Sequence, residues 1–298
     1  MPISGTARSD EASVARHYDA LDRFYREIWG EHVHHGLWTT GHESVEEATG
    51  ALVEVVARWA RARPGAVVAD AGCGYGGTAR ILAGEHGCEV TGFTLSAAQA
   101  DWARRRGGGP SYEVRSWLDN RLGDRGCDAV VAIESFSHMI DKRLAFAQAA
   151  RVLRPGGRLV VVDWFACERP SRWQTRLLLA PIAREGRLPS LCTLVDYERW
   201  AAAAGLLVVH SEDLSSRARR TWSIVARRLA RRLVADGDAR RFLLSSENPD
   251  RAFGLSLARI PVALRTGAMQ LALLVAERQV APAGGVGSRH IVSPPSAV

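Results

Sequence analysis

The spacing of apolar residues divides the first half of the chain into alternating helices and strands. Apolar positions recur at helical intervals over residues 11–29 and 43–61, and Pro64-Gly65 interrupts that pattern. Beyond it, short and almost continuous apolar runs alternate with segments of helical spacing. Such alternation is typical of parallel strands joined by right-handed crossover helices, so it predicts an α/β fold with a parallel sheet. Ligands of open α/β sheets bind at the carboxyl ends of the strands.

Seven strands are predicted in all, and helices separate most of them. The strands are Ala66–Asp70, Glu89–Phe93, Tyr112–Val114, Cys127–Ile133, Arg158–Asp163, Leu206–His210 and Met269–Glu277. The helices beyond the two N-terminal ones are 78–85, 97–106, 142–152 and 194–204, with a long helical region over 215–244.

These elements predict a chain in three parts. Residues 1–62 are a helical segment ahead of the core, and residues 63–280 form the core, with insertions at about 164–193 and 215–268. The tail, residues 281–298, is rich in Pro, Gly and Ser, and we expect it to be disordered.

The composition is that of an ordinary soluble globular protein. The chain has 298 residues, of which 47% are hydrophobic and 24% charged. No apolar run reaches the roughly 20 residues of a membrane span, and residues 1–10 contain no apolar signal region, so we expect a cytoplasmic protein. The five cysteines are scattered and odd in number, which favours free thiols over disulfides.

The net charge of +7 does not by itself indicate nucleic acid binding. Lys142 is the only lysine, and the arginines are spread along the chain except in one cluster. That cluster consists of Arg217, Arg219, Arg220, Arg227, Arg228, Arg231 and Arg232, and the apolar residues between them predict a helix with one buried edge. We expect a solvated helix and no nucleic acid partner, with an anionic substrate or an acidic partner as the alternative. A homo-oligomer is left open.

A glycine-rich turn carries the strongest indication of chemistry. Residues 70–77 read Asp-Ala-Gly-Cys-Gly-Tyr-Gly-Gly and join an apolar strand to a helix. Glycines there let the backbone lie against a ligand where a Cβ would collide, and the first amides of the helix face that ligand. The spacing differs from the Gly-x-Gly-x-x-Gly of dinucleotide-binding turns, and the acid Asp70 precedes the first glycine.

This turn resembles motif I of the class I S-adenosylmethionine-dependent methyltransferases. The resemblance implies a Rossmann-like seven-stranded sheet with helices on both faces, an N-terminal helical lid and a helical insertion after strand five. It also implies S-adenosylmethionine as the cofactor, bound at Asp70, Gly72 and Gly74.

Residues 92–99, Gly-Phe-Thr-Leu-Ser-Ala-Ala-Gln, resemble the branch that contains cyclopropane fatty acid synthases and tocopherol-type methyltransferases. The resemblance implies that Thr94, Leu95 and Gln99 serve the cofactor ribose, where other class I methyltransferases have an acid. The family also usually has an acid for the adenine amine after strand three. This chain has Ser116 and Trp117 there, which can hydrogen-bond and stack.

The N-terminal segment is similar to the lid of the tocopherol-type enzymes, and the similarity covers roughly residues 14–163. It implies that Tyr18, Tyr25 and Trp29 cover the cofactor. After the fourth predicted strand, Glu134-Ser-Phe-Ser-His138-Met resembles the corresponding motif of these enzymes and places Glu134 beside the cofactor sulfonium. We expect Glu134 to orient the acceptor or take a proton from it, and His138 to share that task.

Three histidines of the N-terminal segment, His32, His34 and His35, lie close together in sequence. No acid or cysteine accompanies them at ligand spacing. We therefore expect packing and lid hydrogen bonds, with substrate contact as the alternative and no metal.

The resemblance implies methyl transfer to a small, fairly hydrophobic acceptor, and the apolar insertion over 164–193 is suited to wall such a molecule. We favour C-methylation of an aromatic ring or alkene in secondary metabolism, because the resemblance is to carbon methylators and Glu134 can remove a proton from carbon. An oxygen or nitrogen acceptor is an alternative. So are a prenyl diphosphate acceptor that needs a divalent metal and a non-catalytic or cyclase-like relative.

Overall fold

A seven-stranded sheet with helices on both faces forms the centre of the protein. The computed structural model describes residues 2–4, 10–237, 240–241 and 253–280, without the side chains of residues 4, 24, 253–255 and 257. The strands are β1 (Ile3–Ser4), β2 (Val67–Ala71), β3 (Glu89–Thr94), β4 (Ser111–Val114), β5 (Cys127–Ile133), β6 (Leu153–Ala166), β7 (Ser190–Leu191), β8 (Leu206–Asp213) and β9 (Met269–Arg278).

The strand order in the sheet is β4-β3-β2-β5-β6-β9-β8, and β1 pairs separately with β7. Strands β2 to β6 are parallel, as predicted. The prediction of a wholly parallel sheet was wrong at β9, which runs antiparallel to both β6 and β8. Asp213 at the end of β8 pairs with Ala272 near the start of β9, so the chain leaves β8 and enters β9 at the same end of the sheet's strands. A strand that returns without a crossover runs antiparallel.

The helices are α1 (Glu11–Ala20), α2 (Asp22–Ile28), α3 (Val45–Ala60), α4 (Gly77–Gly84), α5 (Ala97–Arg106), α6 (Lys142–Val152), α7 (Arg172–Gln174), α8 (Ala180–Glu185), α9 (Leu194–Ala203), α10 (Ser215–Ala218), α11 (Arg220–Ala235) and α12 (Phe253–Arg265). One π-helical turn, Thr175–Leu179, joins α7 to α8, and Trp117–Asp119 and Phe136–His138 are 3₁₀ turns.

The core lies in two layers because successive residues of the central strand point to opposite faces. Val131 of β5 packs in a cluster with Leu52 of α3, whereas its neighbour Val130 packs with Phe146 of α6. Burial on both faces explains why the central strands are almost continuously apolar in sequence. Among the described residues, no helix is both long and apolar enough to cross a membrane.

Several element boundaries differ from the prediction. The helix expected over 11–29 is divided at Leu21 into α1 and α2, and β6 and β8 continue to Ala166 and Asp213. Helix α12 was not predicted, and Pro261 inside it is a residue that argues against a helix in sequence. The predicted tail and part of the region 215–244 lie outside the described residues. The division of the chain into three parts stays a prediction.

Candidate active site

The turn between β2 and α4 lies at the carboxyl edge of the sheet, and its two key glycines serve different needs. Gly72 and Gly74 have φ angles of +95° and +51°. A Cβ on Gly72 would lie 2.3 Å from the Ser135 Cβ, so packing against the loop after β5 excludes a side chain there. A Cβ on Gly74 would meet no described atom within 4 Å, so this position borders open space.

Asp70, near the end of β2, is a buried carboxylate with an incomplete set of partners. It is 2% exposed, and its Oδ2 has no hydrogen-bond partner within the described part of the chain. Burial raises the pKa of Asp70 to about 7. Asp70 lines a small cavity of about 340 Å³ together with Gly72, Gly74 and His32. Two larger cavities lie nearby, so we call this one the third cavity. A cationic group bound there would favour the ionised form of the carboxylate.

A larger cavity of about 780 Å³, the first cavity, extends from the glycine turn along the carboxyl ends of β3, β4 and β5. It brings together most of the predicted cofactor residues. Those that line it are Tyr18, Gly72, Gly74, Thr94, Leu95, Gln99, Ser116, Trp117 and Glu134, and His138 joins them.

Polar groups along the first cavity are held in place by bonds to one another. The Thr94 hydroxyl donates to Oε1 of Gln99 over 2.7 Å, and both side chains are buried. The Trp117 indole donates to the Ala145 carbonyl over 3.2 Å, which fixes its ring beside the cavity. A hydroxyl and an amide at this spacing can serve a sugar diol, and a fixed indole offers an apolar surface to a flat ring.

Helix α1 covers the first cavity. Glu11, Val14 and Tyr18 lie on one face of the helix and line the cavity. Two carboxylates fasten the helix ends, because Ser116 Oγ donates to Glu11 and Ser96 Oγ donates to Asp19, each over 2.5 Å. This is the place expected of a lid, although opening of the lid stays a prediction.

A second cavity of about 590 Å³ adjoins the first and has mostly apolar and aromatic walls. The Trp222 ring centroid lies 5.7 Å from those of both Trp29 and Trp164. Both predicted insertions contribute to these walls, one through Leu188 and the other through Ile260. The described lining of the second cavity contains no arginine or lysine.

The two cavities share four lining residues, Tyr18, Val33, Glu134 and His138, which we call the junction. A group that passes from one cavity to the other must pass these side chains. Of the three predicted lid aromatics, Tyr18 belongs to the junction, whereas Tyr25 and Trp29 line the second cavity and not the first. Their place in the second cavity does not support contact with the cofactor, which stays a prediction.

Glu134 lies at the junction with both carboxylate oxygens occupied. Oε1 accepts from the His35 backbone amide (2.7 Å) and from His35 Nδ1 (2.8 Å), and Oε2 accepts from Trp164 Nε1 (2.6 Å). Burial by itself would raise the pKa of Glu134. The electrostatic interaction with His35 and the hydrogen bonds from His35 together have a larger effect in the opposite direction, so the pKa lies below its ordinary value. Trp222 Nε1 donates to His35 Nε2, which places the His35 proton on Nδ1 toward Glu134. Both oxygens of this carboxylate are therefore already engaged as hydrogen-bond acceptors.

His138 also lies at the junction, and one of its ring nitrogens is buried without a partner in the described chain. Nε2 lies 3.4 Å from the Tyr18 hydroxyl, while Nδ1 is buried with no partner among the residues that the structure describes. Burial lowers the pKa of His138 to about 3, so the ring is neutral at physiological pH. Burial also raises the pKa of Tyr18, whose hydroxyl therefore stays protonated.

The 3₁₀ turn that carries His138 is fixed by two buried charged groups. Lys142 Nζ donates to the carbonyls of Ser137 (3.0 Å) and Met139 (3.2 Å), on either side of His138. Asp163 Oδ2 accepts from the Ser137 amide (2.6 Å) and the Tyr197 hydroxyl (3.0 Å). The single lysine of the chain thus positions the junction imidazole, a role that its place in the sequence did not indicate.

The N-terminal histidines bond to one another and to the site. His32 Nδ1 lies 3.0 Å from His34 Nε2, and His34 Nδ1 lies 2.8 Å from the His35 carbonyl oxygen. Within the described ranges, no group of three or more His, Cys, Asp or Glu side chains is arranged to hold a metal ion. The hydrogen bonds among His32, His34 and His35 agree with the expected packing and lid hydrogen bonds.

The arginine cluster makes bonds within the protein. Arg228 donates to the Ile28 carbonyl over 2.8 Å, and Arg232 lies 3.1 Å from Glu27, so both arginines tie α11 to α2. Trp222 of the same helix is buried against the second cavity. This is the solvated helix with one buried edge that the sequence predicts.

The cavities fit the parts of S-adenosylmethionine. The ammonium group of the amino-acid end suits the unpartnered Asp70 carboxylate, and the open space at Gly74 admits a ligand against the backbone. The ribose suits the Thr94 and Gln99 pair, and the base suits the indole of Trp117. A Rossmann-like sheet with such a cradle at its carboxyl edge defines the class of S-adenosylmethionine-dependent methyltransferases, and this protein is one of them.

Comparison with known proteins gives the family. The family model described as mycolic acid cyclopropane synthetase matches residues 6–272, so the chain belongs to this family. The chain is 30% identical to 27-O-demethylrifamycin SV methyltransferase of Amycolatopsis mediterranei, over 83% of this chain and 97% of that protein. It is also 30% identical to the chloroplastic tocopherol O-methyltransferase of Arabidopsis thaliana, over 76% and 72%. Among solved structures, the [4+2]-cyclase SpnF superimposes with a TM-score of 0.78 at 25% identity, covering 94% of this chain and all (100%) of that one.

Replacing Gly74 by alanine is expected to weaken S-adenosylmethionine binding by about tenfold or more. The Cβ would enter the space that the ligand needs, and the positive φ of +51° disfavours alanine by about 1 kcal/mol. Calorimetry measures the affinity. Gly50→Ala is the matched control, because Gly50 lies in α3, where a Cβ also meets no described atom within 4 Å, and it does not line any of the three cavities. Equal affinity in the Gly74→Ala variant and the wild type would contradict the assignment of the cradle.

Proposed function

We propose that this methyltransferase methylates a hydroxyl oxygen on a hydrophobic, ring-containing acceptor of secondary metabolism. The observation that carries the proposal is the neutral imidazole of His138, which lines both cavities and has a ring nitrogen without a partner among the described residues. The apolar second cavity offers room for the acceptor. The first cavity, covered by α1, holds the cofactor.

The chemistry needs little from the protein beyond positioning and one proton acceptor. When bound, S-adenosylmethionine supplies an electrophilic methyl group. Transfer of that methyl group to the acceptor oxygen would make the hydroxyl proton strongly acidic. His138 takes that proton on a ring nitrogen and releases it to solvent after the products leave. A base with a low pKa is sufficient for a proton that acidic.

Glu134 has a different role in this proposal from the one expected from sequence. Its two oxygens already accept three N–H hydrogen bonds, from His35 and Trp164. Glu134 therefore fixes the N-terminal segment and the end of β6 around the junction, and its negative charge favours the imidazolium that forms at His138.

The two relatives reported above support oxygen as the acceptor atom. The names of both denote O-methylation, and the acceptors in those names, a rifamycin and a tocopherol, are large hydroxylated ring molecules. The Trp29, Trp164 and Trp222 walls of the second cavity suit an acceptor of this kind.

A ring carbon is the second candidate for the acceptor atom, as favoured from sequence. The three indoles that surround the second cavity can stabilise positive charge that develops on a ring or alkene during carbon attack. A prenyl diphosphate acceptor is not favoured, because the described lining of that cavity offers no cationic side chain to a diphosphate.

The test is incubation with a methyl-deuterated cofactor and a panel of acceptors: hydroxylated polycyclic aromatics, hydroquinones with an apolar tail, amines, and geranyl diphosphate with Mg²⁺. The proposal expects labelled product from a hydroxylated ring. Treatment with hydrogen iodide should release the label as methyl iodide, since ethers are cleaved and C-methyl groups are not. Label on a ring acceptor that resists cleavage favours the ring carbon, and label on an amine or on geranyl diphosphate alone would contradict the proposal. Cofactor binding without label transfer to any acceptor would contradict the proposal and favour a cyclase-like protein.

A further inference from the structure

One carboxylate of the first cavity has no role so far, and it comes from the lid. Glu11, in the first turn of α1, lines the cavity together with Arg115, Ser116 and Trp117. Its Oε1 accepts a hydrogen bond from Ser116 Oγ over 2.5 Å. The loop after β4 supplies no acid to this end of the cavity, because Asp119 is 67% exposed and pairs with Arg121.

The order of polar groups along the cavity places the base of the cofactor beside Glu11. Asp70 lies beyond the glycine turn in the adjoining third cavity, where the ammonium group of the amino-acid end fits. Thr94 and Gln99 follow at the ribose. The remaining end is walled by the rings of Phe93 and Trp117, a surface suited to a flat heterocycle.

Adenine carries an exocyclic amine, which donates two hydrogen bonds and needs an acceptor. The described lining of the first cavity contains two carboxylates, Glu11 and Glu134. Glu134 lies at the junction with both oxygens occupied, so it is not available. Oε1 of Glu11 accepts the hydrogen bond from Ser116, and its Oε2 has no hydrogen bond to a described residue.

We propose that Glu11 accepts a hydrogen bond from the exocyclic amine of adenine, so that a residue of the lid recognises the base. The acid absent from the loop after β4 is thereby supplied by a helix more than 100 residues earlier, at a sequence separation of 105 from Ser116. Binding of the cofactor then fastens α1 over the first cavity, in addition to the bond between Asp19 and Ser96. This inference rests on the cofactor and not on the choice of acceptor.

The test compares two ligands, S-adenosylhomocysteine and S-inosylhomocysteine, in which a carbonyl oxygen replaces the amine. Calorimetry measures both affinities for the wild type and for Glu11→Gln. We expect the wild type to prefer the adenosyl ligand, because a carboxylate attracts an amine and repels a carbonyl oxygen. Glutamine can donate to that oxygen, so the ratio of the two affinities should fall by about tenfold or more.

Asp10→Asn is the matched control. Asp10 caps α1 by accepting from the Ser13 amide and does not line the first cavity. Asparagine is an equally good cap, so this replacement removes a negative charge next to Glu11 without touching the base. This variant should change both affinities by the same factor. An equal change of both affinities in Glu11→Gln, or no change, would overturn the inference. Failure of the wild type to bind S-adenosylhomocysteine would instead contradict the cofactor assignment itself.

Discussion

The His138→Gln variant is expected to lose about 10²- to 10³-fold in kcat, with cofactor affinity close to that of the wild type. Glutamine keeps the size and polarity of the side chain but cannot take up a proton. The loss should appear in kcat rather than in KM, because the acceptor still fits the second cavity. Steady-state assay of S-adenosylhomocysteine release measures it.

Tyr18→Phe is the control for His138. It removes the hydroxyl that lies 3.4 Å from His138 Nε2 and leaves the imidazole in place, so kcat should fall much less. If His138→Gln and the wild type have the same kcat, the proton is taken by another group, or the acceptor needs no base.

The low pKa of His138 also gives an expectation for pH. Its folded-state pKa of about 3 lies below the ordinary value of 6.5, so the unfolded chain binds a proton there first. This contribution to stability is present above pH 6.5 and is lost as the pH falls toward 3. Between these values the wild type should lose about 1.4 kcal/mol of unfolding free energy per pH unit more than His138→Gln. Denaturant titrations at pH 7 and 5 measure the difference, and equal slopes would show that His138 is not buried as a neutral ring.

Replacing Glu134 by glutamine is expected to lower the free energy of unfolding by about 3 kcal/mol, and kcat with it. A glutamine amide presents one oxygen and one N–H₂ group. Three N–H donors from His35 and Trp164 surround the carboxylate, so at least one would face another donor without an acceptor. Denaturant unfolding measures the loss.

Trp164→Phe separates this bracing role from a role as base. It removes the donor to Oε2, so Glu134→Gln in that background should cost less than it does alone, by about 1 kcal/mol or more. If Glu134→Gln leaves the unfolding free energy unchanged while kcat falls, Glu134 acts on the proton directly, as expected from sequence.

Local patterns predicted most of the framework. The glycine-rich turn and the apolar central strands are encoded over a few residues, and the parallel strands β2 to β6 followed from them. The residues Thr94 and Gln99 could be placed at one cavity because they follow a predicted strand end. The direction of β9 could not be predicted, because it depends on the end of the sheet at which the chain re-enters after β8, which residue spacing does not show.

The bonding state of the site residues depends on contacts that sequence spacing does not show. Glu134 was found from its position after a strand, but its donors come from His35 and Trp164, at separations of 99 and 30 residues. Those donors favour a structural role, and the role of Glu134 as a base stays a prediction. Glu11 was missed because the acid was sought after β4. The signal that could have found it is the spacing of Glu11, Val14 and Tyr18 on one helical face.

The central claim is that the first cavity holds the cofactor and that the methyl group crosses the junction into the second cavity. A crystal structure with S-adenosylhomocysteine tests it most directly. We expect that structure to show the base beside Trp117 and the sulfur facing the junction of Tyr18, Val33, Glu134 and His138. A sulfur that faces away from the junction, or a ligand bound in the second cavity, would contradict it.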